Sequence, residues 1–313
     1  MLYNDLVEQQ MVAQITAAIG ARQYKQALDL MIHRNDLIWQ DRRYSHDDRV
    51  DFAKWQRIEQ IVTKDYIDQK DGLSDEGEGL IFIVGMPRCG KTTLERVLGG
   101  IDGVTAAGEL NYLSSQYGKV HDPAGNPWTY PDYLTVLPDE VFPQFGKNYS
   151  DAVKGLYKDS RYIIDTMPPT FRYLGLIRLI LPKAKVIHMV RSPMDHCIDI
   201  FSKKFDNNFY NYTYHLETLS EMYVAYRRLM AHWDDALGDW MMTLRFEDLI
   251  AQPKKEIKRV MGFCEIESDI TAQNLILPHQ TTFSEINRTF GVLKNYRPYL
   301  QDFEKSLGRY KIL

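Results

Sequence analysis

The sequence is poor in cysteine. Cys89, Cys197 and Cys264 are too few and too scattered for a disulfide framework, so a reducing compartment is expected. A basic excess is missing as well: 38 Lys and Arg against 42 Asp and Glu leave a net charge of −4. This argues against general coating of nucleic acid, which needs an extended basic surface, although a local basic pocket stays possible. No uninterrupted apolar run reaches about 18 residues, so no membrane span is expected. The opening MLYNDLVEQQMVAQ has acidic residues and no basic n-region leading into an apolar core, so it does not read as a signal peptide. A cytoplasmic location is the expectation. Repeat arrays and low-complexity tracts are also lacking. What is present is ordinary for a globular chain: 313 residues, 44% hydrophobic and 26% charged. That is enough to bury a substantial core, as one large α/β domain or a domain with an extension.

The first 70 or so residues read as helices. VEQQMVAQITAAIGARQYKQALDLMIHRNDL and RVDFAKWQRIEQIVTKDYI place apolar residues at helical spacing, with Gly20 as a break. The polar run DQKDGLSDEGEG (69–78) reads as a linker, giving an expected helical extension over 1–78 and a main domain over 79–313. LIFIV (80–84), RYIID (161–165) and KVIHMV (185–190) read as buried strands, and MMTLRF as a further strand. FRYLGLIRLIL, MDHCIDIFSKKF and HLETLSEMYVAYRRLMAHWDDAL read as helices. Such alternation implies a doubly wound parallel sheet with right-handed crossovers. Residues 121–148, rich in Pro, Gly and Tyr, read as an ordered surface insertion.

The chemistry is most legible in GLIFIVGMPRCGKTTLERVL, residues 79–98. Gly85, Gly90, Lys91 and Thr92 stand at the G-x-x-x-x-G-K-T spacing of a phosphate-binding loop, between a strand and a helix expected from about Lys91 to Leu98. Such a turn aims backbone N–H groups at one point, and the helix N-terminus adds positive potential there. Arg88 and Lys91 add charge, and Thr92 and Thr93 add hydroxyl donors. A phosphate-binding ATPase or kinase also needs a carboxylate at a strand end for Mg²⁺; the nearest is Asp165, followed by TMPP.

Several ordered stretches carry a resemblance. FIVGMPRCGKTTLERVL resembles the 5′-phosphosulfate loop of sulfotransferases that use 3′-phosphoadenosine 5′-phosphosulfate (PAPS), and VIHMVRSPMDHCIDIFSKKF their 3′-phosphate segment. YIIDTMPPTFRYLGLIRLILPKAKVIHMVR is similar to the family's D-K-x-P-x-N-F-x-x-L-G-L-I stretch. RFEDLIAQPKKEIKRVMGF resembles its Y-E-D-L segment. The likeness extends over roughly residues 79–300 and is nearest to bacterial sulfotransferases and tyrosylprotein sulfotransferases. It implies a P-loop NTPase-like α/β fold, a doubly wound parallel sheet flanked by helices with a helical N-terminal extension. It also implies PAPS as cofactor, adenosine 3′,5′-bisphosphate (PAP) as product, and no metal. The partner would be a small-molecule or peptide acceptor, with no nucleic acid.

The resemblance assigns roles residue by residue. Arg88, Cys89, Gly90, Lys91, Thr92 and Thr93 would hold the 5′ side. Arg191, with a hydroxyl or its substitute at Asp199 or Ser202, would meet the 3′-phosphate. Arg288, Lys294 and Arg297, in INRTFGVLKNYRPYL, would come from the closing basic loop. Glu109, in AAGELNYL, corresponds to the tyrosylprotein enzymes' acceptor base, which a closed pocket would tune toward neutrality. His188, His196 and His232 rank below it. Three positions depart from the pattern. Thr166 replaces the D-K-x-P lysine, whose charge Lys91 could supply from the loop. Asp199 replaces a serine, and Cys89 replaces the loop serine, either filling a small slot or holding a thiol of lowered pKa. A P-loop kinase or NTPase, and a non-catalytic PAP-binding protein, remain the alternatives.

Overall fold

The structure, a computed structural model, describes residues 4–42, 48–121, 124–206, 208–268 and 293–308. Four helices open the chain: α1 (Asp5–Gly20), α2 (Tyr24–Arg42), α3 (Asp48–Ile61) and α4 (Lys64–Gln69). Strand β1 (Leu80–Val84) and helix α5 (Lys91–Leu98) follow, flanking the glycine loop, then β2 (Val104–Ala106) and α6 (Tyr112–Tyr117). A hairpin of β3 (Lys119–His121) and β4 (Pro127–Thr129) leads to α7 (Val141–Leu156) and β5 (Tyr162–Asp165). Next come α8 (Leu174–Ile180), β6 (Lys185–Val190), α9 (Pro193–Phe201), α10 (Leu216–Leu237) and β7 (Met241–Arg245). The described chain ends in α11 (Phe246–Ala251), α12 (Pro253–Phe263) and α13 (Gln301–Gly308).

The main sheet has five strands in the order β2-β5-β1-β6-β7, and every neighbouring pair is parallel. Strand β1 is central and buried at all five positions, which is why it reads as an unbroken apolar run. From β1 the chain builds one side of the sheet through β2 and β5. It then crosses over to build the other through β6 and β7. The reversal falls between β1 and β6, and in open α/β sheets ligands bind beyond the strand ends at that point.

Some local expectations needed correction. FRYLGLIRLIL is not one helix: Pro168–Tyr173 forms a 3₁₀ segment, and the α-helix begins at Leu174. Pro168 and Pro169 open the 3₁₀ segment, at positions where a helix start needs no N–H donor. Residues 121–148 do not lie on the surface throughout, since Tyr133 and Phe142 are buried to about the level of β1.

The chain forms two compact units. One contains the described parts of 1–52, 192–228 and 287–313; the other contains those of 53–191 and 229–286. The five-stranded sheet lies wholly in the second unit. In the first, α2 packs Ile38 against the buried Tyr214. Helix α2 also caps α9. The Arg34 guanidinium donates to the carbonyls of Ser202 (3.0 Å) and Phe201 (3.3 Å), and the Asn35 amide donates to Phe201 (3.0 Å). The last carbonyls of a helix lack intrahelical donors, and a cation there meets the negative end of its dipole. Arg34 is itself steadied by the Asn35 side-chain oxygen, at 2.8 and 3.1 Å.

Both residues are buried, so this cap has no water to replace it. Arg34→Ala should therefore destabilise the fold by about 1.5–3 kcal/mol, the scale for losing a charged hydrogen-bonded contact. Urea unfolding of the two proteins measures it; a loss below about 1 kcal/mol would mean water or a neighbour replaces the cap.

Candidate active site

The loop between β1 and α5 is shaped by backbone that only particular residues tolerate. Gly85 has φ 147° and Gly90 φ 103°. A Cβ on Gly85 would lie 2.6 Å from Cys89 Sγ and 2.8 Å from the Met189 carbonyl; one on Gly90 would lie 2.2 Å from the Phe246 ring. Arg88 takes φ 67° without being glycine, a strained conformation of the kind that gathers at functional sites. The N–H groups of Thr93 and Leu94 both turn back to the Gly90 carbonyl at 3.1 Å. The N–H groups before them have no partner within the helix, and the dipole adds positive potential there. The residues present therefore fit a phosphate: N–H groups at a helix start, hydroxyls at Thr92 and Thr93, and no side chain at Gly85 or Gly90.

The cations are held at this loop. Lys91 is 7% exposed, and its Nζ donates to the carbonyls of Gly85 (2.6 Å) and Met86 (3.4 Å). Arg191, directly after β6, donates from Nη1 to the Arg88 carbonyl at 3.1 Å, with its guanidinium 5.7 Å from the centre of the Phe246 ring. Strand order explains the meeting, because β1 and β6 are adjacent and parallel and their following residues emerge side by side. The Arg88 side chain is exposed. Cys89 is fully buried, and burial pushes its thiol pKa up despite nearby Lys91 and Arg191. It fills the small slot against Gly85; the alternative of a lowered pKa fails.

Glu109 lies on a turn after β2 and is exposed, so the expected closed pocket around it is not seen. Its neighbours are tightly held. Glu95 Oε1 accepts from the Gly108 N–H at 2.8 Å, and Asp165 Oδ1 accepts from the Leu110 N–H at 3.3 Å. The Thr166 N–H donates to the Gly108 carbonyl at 2.9 Å, and the Ala107 N–H to that of Ile164 at 3.0 Å. Thr166 is buried, with its hydroxyl 3.5 Å from Glu95 Oε2. Asp165 Oδ1 also accepts from the Met167 N–H at 2.8 Å, and Oδ2 from the Tyr149 hydroxyl at 3.4 Å. Burial raises the pKa of Glu95 and pushes that of Asp165 up to about 7.

Glu95 escaped the sequence reading. The signal was there: Lys91, Leu94, Glu95 and Leu98 fall on one helical face, so an acid stood among residues placed for burial. The three histidines are engaged in packing. His188 is buried in β6, His196 packs edge-on against Tyr223 at 5.8 Å, and His232 bonds the Val62 carbonyl at 2.9 Å.

Loop, Glu109 and Arg191 all belong to the unit that carries the sheet. Asp199 and Ser202 belong to the other, on and just after α9. Asp199 is buried, and the Ser202 hydroxyl donates to its backbone carbonyl at 2.8 Å. Lys294 and Arg297 lie exposed in the 3₁₀ segment Leu293–Tyr299, where Arg297 pairs with Glu304. Arg288 falls outside the described residues.

Asp165 makes stability depend on pH. Its folded pKa of about 7 stands above the ordinary 3.8, so between those values the folded state binds a proton that the unfolded chain has released. Its contribution is complete below about pH 4 and is lost as pH rises through about 7. Asp165→Asn keeps an acceptor for Leu110 and Met167 and has nothing to titrate. Across the window the wild type should lose stability relative to this variant by a few kcal/mol, at about 1.4 kcal/mol per pH unit. Urea unfolding of both proteins at pH 5 and pH 8 checks it; equal slopes would place the proton elsewhere.

Comparison with known proteins identifies a family. The family model described as the sulfotransferase family matches residues 81–269, which hold the loop, Glu109 and Arg191. An uncharacterized protein of Aquifex aeolicus is 26% identical over 251 residues, 78% of this chain; the chain spans about a third (33%) of that relative's length. A putative protein-tyrosine sulfotransferase of Caenorhabditis briggsae is 23% identical over 218 residues, covering 67% of this chain and 72% of the relative. Among solved structures, the sulfotransferase domain of the Synechococcus PCC 7002 olefin synthase aligns with TM-score 0.46 and 21% identity, over 67% of this chain and 80% of that one. Retinol dehydratase in complex with retinol and PAP aligns with TM-score 0.35 and 14% identity, over 78% and 75%. With the family model matching more than half of its length, the chain belongs to the sulfotransferase family.

Proposed function

We propose that this protein transfers the sulfuryl group of PAPS to a hydroxyl or amine acceptor. The observation that carries the reading is Arg191 seated against the phosphate loop, its Nη1 on the Arg88 carbonyl. A second cation there suits a nucleotide bearing a 3′-phosphate besides its 5′ group. Bound PAPS would supply an activated sulfuryl group joined to a 5′-phosphate that can leave.

The chain's own residues divide the work. The N–H groups at the start of α5, with Thr92 and Thr93, take the 5′-phosphate. Arg191 takes the 3′-phosphate; Asp199 stands where the family carries a serine. Lys91 stabilises charge at the departing oxygen, from a loop that already fixes its ammonium on two carbonyls. Glu109 takes the acceptor's proton, and its exposure leaves its carboxylate open to an incoming group. Transfer of this kind depends on alignment and fixed charge more than on covalent chemistry.

The kinase reading loses ground on Asp165. Its oxygens already accept from Leu110, Met167 and Tyr149. A carboxylate so engaged is poorly suited to serve Mg²⁺.

PAP should stabilise the protein more than ADP does, and Arg191→Ala should weaken PAP about tenfold or more while hardly changing adenosine 5′-phosphosulfate. That is the range for one charged hydrogen-bonded contact, about 1.5–3 kcal/mol. Thermal shift and calorimetry decide; equal responses to PAP and ADP would count against the assignment.

Lys91→Thr should lower kcat by about two to three orders of magnitude, the scale for losing one preorganised donor. PAP affinity should change far less. A parallel loss of PAP binding would make Lys91 a loop brace.

A further inference from the structure

Among the buried acids that the mechanism leaves without a task is Glu95. Glu95 is 7% exposed on the packed face of α5, beside Leu94, Val97 and Leu98. Burying a carboxylate is unfavourable unless its hydrogen bonds are satisfied. Here they are satisfied on one side by the Gly108 N–H at 2.8 Å and on the other by the Thr166 hydroxyl at 3.5 Å.

We infer that Glu95 is a positioning residue for Glu109, fastening the Gly108–Leu110 turn to the helix that begins at the phosphate loop. The inference rests on the reading of Glu109 as acceptor base. Gly108, at φ 73°, lies outside any helix or strand, so no regular ladder sets the direction of Glu109. The turn's other bonds come from the end of β5: Thr166 N–H to Gly108, Ile164 carbonyl to Ala107, and Asp165 to Leu110. These tie it to the sheet. Glu95 ties it to α5, and stands one helical turn after Lys91, so the turn that carries the base is anchored to the helix that carries the loop cation. A hydrogen bond to an ionised acceptor is about twice as strong as a neutral one, which suits a carboxylate to the task.

Glu95→Met keeps the volume and loses the acceptor; Glu95→Gln keeps an oxygen for Gly108 and an amide for Thr166. The test combines hydrogen–deuterium exchange with kinetics, using PAPS and the acceptors 4-methylphenol, a tyrosyl peptide and a primary amine. In Glu95→Met, exchange in residues 104–112 should rise about tenfold or more, while residues 80–84 stay as in the wild type. kcat should fall about 10- to 100-fold, the scale for misplacing a catalytic group by about 1 Å. PAP affinity should stay within about twofold, and Glu95→Gln should recover most of the rate. A merely structural role would instead lower PAP affinity and thermal stability along with kcat. Unchanged exchange at the turn in Glu95→Met would overturn the inference, and so would a wild-type kcat with a loosened turn. If the Met variant does not fold, Gln decides: a rate as low as that of Glu109→Gln would sink it. Wild-type protein inactive on all three acceptors, with exchange still lost at the turn in Glu95→Met, would remove the transferase reading and leave the clamp standing.

Discussion

The site depends on two positions that have no room for a side-chain carbon. At Gly85 the backbone comes within contact of the Met189 carbonyl, so the loop after β1 lies against the last residues of β6. That closeness lets Arg191, two residues beyond Met189, reach the Arg88 carbonyl. At Gly90 the backbone sits on the Phe246 ring, the ring over which Arg191 also lies. One aromatic wall, at the start of the helix after β7, thus supports the turn into α5 and the cation after β6. A side chain at either glycine would push apart elements whose residues have to meet.

Burial then sorts the charges. The Lys91 ammonium is satisfied by two backbone carbonyls, which accept its protons without cancelling its charge. Glu95 and Asp165 are turned toward the backbone N–H groups of Gly108, Leu110 and Met167. The arrangement keeps acids from quenching the loop, yet uses them as anchors. It has an electrostatic consequence: the two carboxyls lie near enough for Glu95 to help raise the pKa of Asp165, after the larger effect of burial.

How far this was legible in the chain depended on the range of each interaction. The span of β1, the loop and the span of α5 could be read closely, because a doubly buried strand, two glycines and a helix start are local patterns. The place of Arg191 at the end of β6 was legible too, because the run before it reads as a buried strand. Glu95 was not, since its partner is a backbone N–H supplied by a turn 13 residues away. The capping of α9 by Arg34 was still further out of reach, the two groups being 168 residues apart in sequence. For the same reason composition separated residues 1–78 from the rest, whereas packing gathers 1–52 with 192–228 and 287–313. Glu109 was found by resemblance, and its exposure could not be read from neighbours in sequence that say nothing of what covers it.

The departures at Thr166 and Lys91 make sense together once Glu95 is considered. Thr166 is buried with its hydroxyl toward Glu95. A lysine in that position would bring its charge beside a buried carboxylate, and the two would pair, drawing Glu95 away from the Gly108 N–H. With threonine there, one oxygen of Glu95 is steadied by a hydroxyl and the other is left for the turn. A cation needed at the departing oxygen must then come from elsewhere, and Lys91 is four residues before Glu95 on the same helix, with its ammonium on the loop side. On the proposed reaction, the threonine, the buried glutamate and the loop lysine are three parts of one exchange: the positive charge moves to the loop, and the acid it would have paired with becomes the anchor of the base.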